Sequence, residues 1–289
     1  MSALHARPGR RKGWLWAALA AVLLGAGALV FLLLGQRPAV KFISREGMFA
    51  GVPPCSVVGA REAKAAGYDS IRVSVQRTAD GVWVLSHDGS INDQARLPDG
   101  SELPETVVIA EHGYEELNGY DYGIRYGEAY AGLGLTRAED FLAVTKELEM
   151  EVLLEVKAEV DEAAADDLCA LVARAGYGED IWFSAFSQEP LLLFQERLPK
   201  ANLAAIDIFG EEALEKILTG GLVSKDHRTR LDCFRTDSFD EELIREYHRK
   251  GIEIKVGSAY TEEEIRQFAA LGIDTIEVGM VRQPQQALQ

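Results

Sequence analysis

Residues able to do chemistry fall on three short stretches of this chain. Arg72 lies in Ser70–Gln76, His87 and Asp88 close the next stretch, and Glu155 and Lys157 end Glu151–Lys157. An imidazole can carry a proton, arginine and lysine can hold an anion, and a carboxylate can hold a cation or orient a base. Ile71, Val73 and Val75 alternate with Ser70, Arg72, Ser74 and Gln76, the period of a strand with one polar face. Asp80-Gly81 marks a tight turn, and Val82–His87 reads as a second strand that delivers His87 and Asp88 at its end. On a strand, Glu155 and Lys157 share a face. A buried strand carries two charges there only when they pair or serve a site. Two plainer readings stand beside this one: an ordinary half-exposed hairpin, and a structural Glu–Lys pair.

The elements that must position these groups repeat in a regular order. Strand-like runs are expected at 40–44, 70–76, 82–87, 151–157, 181–185, 202–206, 231–235, 252–257 and 273–278. Amphipathic stretches separate most of them. Ser56–Ala66 reads as a helix ended by Gly67, and Thr136/Glu139, Ser238/Glu241 and Thr261/Glu264 have the spacing of capping boxes. Gly176, Gly251 and Gly272 each precede an apolar run. Helix, glycine, strand, repeated, predicts an α/β fold with a parallel sheet. The length from 39 to 289 suits a TIM-type (β/α)8 barrel, typically ~250 residues. The set holds one strand more than the barrel needs, which predicts one edge piece. Residues 89–135, rich in Gly, Asp, Glu and Tyr, predict a loop insertion on the face where active sites sit.

The first 38 residues differ from the rest. Arg7, Arg10, Arg11 and Lys12 precede Trp14–Leu34, which carries no charge. A helix over that run would reach about 30 Å, enough to cross the hydrocarbon core. No small-residue cleavage site follows it, so the run predicts an uncleaved single-pass transmembrane helix. The basic residues put the tail in the cytoplasm and the barrel on the extracytoplasmic side. Removing the five basic residues of 1–38 from 30 leaves 25 against 46 acidic ones, a net charge of −21 beyond the anchor. Such a domain repels nucleic acid, so any phosphate it binds needs a local positive site. Cys55, Cys169 and Cys233 form no disulfide framework, and a single pairing among them is left open. His112, His227 and His248 sit in charged surroundings and read as solvated.

Taken in order, Ser44-Arg45 after the first strand, the hairpin ending in His87-Asp88, Leu153–Lys157 (LLEVK) and Ser184–Leu191 (SAFSQEPL) resemble the glycerophosphodiester phosphodiesterase family. That family belongs with the phospholipase C-like barrel phosphodiesterases. Ser90–Ser101 and Tyr114–Gly123 resemble its segment after His-Asp, and the likeness spans nearly the whole chain beyond the anchor. The resemblance implies a catalytic role for His87, phosphate contacts for Arg45 and Lys157, and a divalent ion, calcium or magnesium, held by three carboxylates including Glu155.

The departures are specific. Ser44 stands where the family has a catalytic His, Pro53-Pro54-Cys55-Ser56 where it has Pro-Glu-Asn-Thr, Arg72 and Ser74 where it has Glu-x-Asp, and Gly257-Ser258 where it has Trp-Thr. A hard divalent cation needs several oxygen ligands, and Glu155 is the one ligand position retained. Charge counting predicts that Arg72 takes the cation's place beside Glu155, with no metal cofactor. It also predicts that Arg72, Lys157 and His87 converge on one pocket for a phosphodiester or glycerol phosphate. Three functions are then open: a binding protein with catalysis lost or altered, an active metal-independent phosphoric diester hydrolase, or a scaffold for a protein partner.

Overall fold

The structure is a computed structural model and describes residues 40–206, 210–233 and 241–289. The expected membrane helix over 14–34 lies outside the described residues. No helix among the described ones is long and apolar enough to cross a membrane.

The barrel unit runs from Val40 to Gln289. Its parallel strands are β1 (Lys41–Arg45), β2 (Ser70–Arg77), β4 (Glu151–Val156), β5 (Ile181–Ala185), β6 (Asn202–Ile206), β7 (Thr229–Cys233), β8 (Ile252–Ala259) and β9 (Thr275–Val278). They pair in the order β1-β9-β8-β7-β6-β5-β4-β2, and β1 pairs with β2 to close the ring. The surplus strand is β3 (Trp83–Leu85), which pairs antiparallel with β2 outside the closed set.

Alternation sorts the strands' residues into two environments. Ile71, Val73, Val75, Val152, Leu154, Ile181 and Phe183 pack into the core between sheet and helices. Inside the barrel, Ile43, Leu153, Trp182 and Ala204 form a small apolar layer. Arg72, Glu155, Asp232, Lys255 and Glu277 also occupy the interior and are almost wholly buried. Charged groups are seldom buried unless they pair.

Where the described residues test them, the expected helix signals hold with one exception. Ser56 caps α1 (Val57–Ala65) by accepting from the Gly59 N–H, and Gly67 follows the helix with φ +89°. The Thr261/Glu264 capping box opens the last barrel helix, Glu262–Ala270. Thr136 caps nothing: the helix Ala138–Glu147 starts after Arg137 without a side-chain cap. The Thr136 carbonyl instead accepts from the Leu85 N–H, which ties the helix entry to β3. Ser238 lies outside the described residues.

The insertion has a core of its own, in which Ile91, Val107, Ile109, Leu117, Tyr122 and Leu135 pack against Val84 of β3. Asp121 organises one of its turns, accepting the backbone N–H groups of Gly123, Ile124 and Gly132 at 2.6–2.8 Å. Burial pushes the Asp121 carboxyl up, but those three donors outweigh it and hold it below the usual range. No disulfide joins the three cysteines, all of them buried. Burial, the principal cause, pushes the Cys169 thiol up to about 12.

Candidate functional site

Register and hairpin geometry bring the chemical groups to one end of the barrel. Arg45 of β1 lies beside Arg72 of β2, and Ser74 of β2 beside Glu155 of β4. The β2–β3 hairpin turns at Thr78–Gly81, where Thr78 Oγ1 donates to Asp80 Oδ1 and Gly81 takes φ +87°. The strand ends at Leu85, and the Ser86 N–H then donates to the Ser74 carbonyl at 3.1 Å. That bond continues the hairpin ladder one residue past β3 and leaves His87 at the barrel mouth, with Nε2 3.3 Å from Lys157 Nζ.

His87 sits between two partners. Nδ1 is 2.9 Å from Asp88 Oδ1, and Nε2 faces the Lys157 ammonium. Both contacts are satisfied by the tautomer protonated at Nδ1, with Nε2 accepting from lysine. Lys157 Nζ also lies 3.3 Å from Glu155 Oε1. Beside Lys157 a cleft of about 550 Å³ opens, lined in part by Val160, Ala185, Phe186 and Pro190. Its size is that of a small-molecule site.

Arg72 forms the floor. It is 1% exposed and stands among three carboxylates: Glu46 at 2.8 Å, Glu155 at 3.2 Å and Glu277 at 3.2 Å. Nη1 also contacts Ser74 Oγ at 3.3 Å. Every guanidinium nitrogen therefore has a protein partner, and Arg72 lies beneath the mouth rather than open to it. Burial acts to lower its pKa, but Glu277, Glu155 and Glu46 together raise it far above the ordinary value. Burial likewise pushes Glu277 up, and Arg72 with Lys255 overrides it to hold the carboxylate well below its usual range. The network continues through Lys255, 2.7 Å from Glu277 and 3.6 Å from Asp232, to Arg230, 2.8 Å from Asp232. Counting Lys157, this cluster sets four cations against four carboxylates.

Backbone details place the two carboxylates beside Arg72 that the sequence did not point to. Glu46 adopts φ +54°, a left-handed conformation costly for a residue with a side chain. Its N–H donates to the Arg72 carbonyl at 2.7 Å and its carbonyl accepts from Cys55 at 2.9 Å, which hold it there. Gly257 makes room for Glu277, since a Cβ at 257 would stand 2.4 Å from the Glu277 Cβ. The neighbouring Ser258 hydroxyl donates to Glu277 Oε1 at 2.7 Å.

The remaining expected residues fall as follows. Arg45 is half-buried at the mouth, with Nη1 2.9 Å from Ser258 Oγ and 2.8 Å from the Tyr260 hydroxyl. Ser44 is buried, with no hydrogen-bond partner for its hydroxyl among the described residues. His112 and His248 face Glu116 and Asp274, and His227 contacts backbone carbonyls.

Comparison with known proteins gives a consistent answer. Residues 46–278 match the profile of the glycerophosphoryl diester phosphodiesterase family. A glycerophosphodiester phosphodiesterase of Caldanaerobacter subterraneus subsp. tengcongensis is 20% identical over 241 residues, covering 81% of this chain and 91% of that one. The structure resembles an Oleispira antarctica phosphodiesterase in complex with the product sn-glycerol-3-phosphate (TM-score 0.71, 16% identity, 86% of this chain and 96% of that one). It also resembles the glycerophosphodiester phosphodiesterase of Agrobacterium tumefaciens (TM-score 0.66, 20% identity, 86% and 100%).

Proposed function

The chain belongs to the glycerophosphoryl diester phosphodiesterase family, and from that premise we propose that it is a membrane-anchored member binding a phosphodiester or glycerol-phosphate head group, with hydrolysis lost or strongly reduced. Lys157 and Arg45 hold the phosphate, with His87 beside it at the mouth. Arg72 stands under them as a fixed cation. The observation that carries this reading is the placing of Arg72 among Glu46, Glu155 and Glu277.

That arrangement does not fit a divalent cation. Such an ion needs several oxygen ligands with free lone pairs. Here the three carboxylates converge on a guanidinium, and Ser74 beside it brings no charge. Hydrolysis is weakened for a second reason. A positioned acid–base group contributes ~10²–10⁴-fold, and the family's first histidine is here Ser44, a buried hydroxyl. His87 remains the single imidazole at the mouth among the described residues.

Calorimetric titration with sn-glycerol 3-phosphate tests the reading. The unmutated protein binds, a chelator changes nothing, and Lys157→Ala binds roughly ten- to a hundredfold more weakly, as loss of one charge-assisted hydrogen bond requires. Steady turnover of a glycerophosphodiester in chelator would shift the function to a metal-independent hydrolase using His87. Failure of the folded protein to bind would leave the scaffold role. Stoichiometric calcium or magnesium surviving dialysis would overturn the fixed-cation reading.

The anchor rests on the uncharged run Trp14–Leu34 and the basic residues before it. Protease added to intact cells should digest the barrel and spare the cytoplasmic tail. Complete protection of the barrel in sealed preparations would reverse the orientation.

A further inference from the structure

We propose that the Tyr260 hydroxyl is a phosphate-oxygen ligand, working with Arg45 on the β1–β8 side of the mouth. The inference rests on the phosphate-binding reading above and adds a residue that the resemblance does not supply.

Tyr260 directly follows β8 and is 42% exposed, yet both its ring and its backbone are fixed. The ring lies against Gly279: a Cβ there would stand 2.8 Å from the Tyr260 Cε1, so glycine lets the ring sit flat. The Tyr260 and Thr261 N–H groups both donate to Glu264 Oε2, at 2.8 and 3.0 Å, so the cap of the following helix holds the backbone. An exposed aromatic fixed at both ends is pre-organised and loses little freedom when a ligand arrives.

The hydroxyl's bonding is half complete. Its oxygen accepts from Arg45 Nη1 at 2.8 Å. Among the described residues its own hydrogen has no acceptor. A phenol whose lone pair is engaged by a cation is polarised toward donation, and an anionic oxygen is the acceptor it suits best. The guanidinium of Arg45 is incompletely paired as well, since its buried Nε–H has no partner among the described residues.

Tyr260 connects to the other half of the mouth through an unbroken run of contacts: Arg45, Ser258, Glu277, Arg72, Glu155, Lys157 and His87. With Lys157 counted the cluster is neutral overall, so the surplus positive charge at the mouth is that of Arg45, on the Tyr260 side. A phosphodiester monoanion has two non-bridging oxygens. One suits Lys157, the other Arg45 and Tyr260.

Tyr260→Phe keeps the ring on Gly279 and removes only the hydroxyl. Its affinity for sn-glycerol 3-phosphate should fall about tenfold or more, the loss of a hydrogen bond to a charged group. In protein carrying ¹³Cζ-labelled tyrosine, the resonance absent from Tyr260→Phe should shift when the unmutated protein binds the ligand. If Tyr260→Phe binds as tightly as the unmutated protein while Lys157→Ala does not, Tyr260 is no ligand and the phosphate site stands. A Tyr260 resonance unmoved at saturation overturns the inference in the same way. If the unmutated, folded protein binds no phosphate, the site reading falls, and the role of Tyr260 with it.

Discussion

Arg72→Ala should cost the barrel ~3–5 kcal/mol, because removing one partner of a buried ion cluster strands the others. The stranded groups are Glu46, Glu155 and Glu277, each buried and within 3.2 Å of the guanidinium. For a domain of this size ~1 kcal/mol moves the melting temperature by about 2–4 °C, so the drop should be on the order of 10 °C. The same substitution leaves three converging carboxylates, hard oxygen donors of the kind a calcium ion takes. Millimolar calcium should therefore restore part of the lost stability in Arg72→Ala and leave the unmutated protein unchanged. Binding of an ion to the folded state alone stabilises by mass action, so recovery should grow with the logarithm of calcium concentration. Should Arg72→Ala accumulate only as aggregate, Arg72→Ala with Glu46→Gln removes one stranded charge and should recover soluble protein. A melting temperature equal to that of the unmutated protein, without calcium, would show that the cluster does not hold the fold.

Acid should expose the same network through Glu277. Its carboxyl titrates well below the usual range when folded and near about 4.3 in the unfolded chain. A folded pKa below the unfolded one means that stability is fully present above about pH 4.3 and is lost as pH falls toward the folded value. Glu277→Gln removes that linkage and also leaves Lys255 and Arg72 short of a partner. It should be clearly less stable than the unmutated protein at pH 7, and the two stability curves should converge as pH drops below the ordinary carboxylate range. Denaturant titrations between pH 7 and 3 measure this. Parallel curves over that range would mean that Glu277 gains nothing from its neighbours.

Most of the fold was legible because period and punctuation agree. Ile71, Val73 and Val75 fixed which face of β2 meets the helices, and Gly67, Gly251 and Gly272 marked where helices stop. The surplus strand resolved into β3, which serves the site by leaving His87 at the mouth. The Thr136 cap failed because its carbonyl is taken by Leu85, a tertiary bond invisible to local spacing.

The site was legible in part. His87, Lys157, Glu155 and Arg72 meet through contacts of 3.2–3.3 Å. Arg72, however, has three carboxylate partners where the sequence pointed to one. Glu277, Lys255 and Asp232 stand singly between apolar residues, in Ile276-Glu277-Val278, Ile254-Lys255-Val256 and Leu231-Asp232-Cys233. A lone charge inside a buried strand was the signal that could have found them. Glu46 gave no such signal, because its place depends on a left-handed turn and on contacts with Arg72 and Cys55. Tyr260 gave none either, since an exposed tyrosine after a strand has no pattern of its own.

The guanidinium in its carboxylate cage has a consequence for how the centre responds to its surroundings. A diffusible ion has a dissociation constant, so its occupancy follows supply. A cation carried on a side chain has an effective concentration set by the fold, and neither dilution nor a competing metal empties the cage while the barrel stays folded. The tether also gives something up. A guanidinium offers no vacant coordination position, so it can neither polarise a bound oxygen as a Lewis acid nor lower the pKa of a bound water. Constancy of charge and want of Lewis acidity are properties of the same guanidinium, that of Arg72.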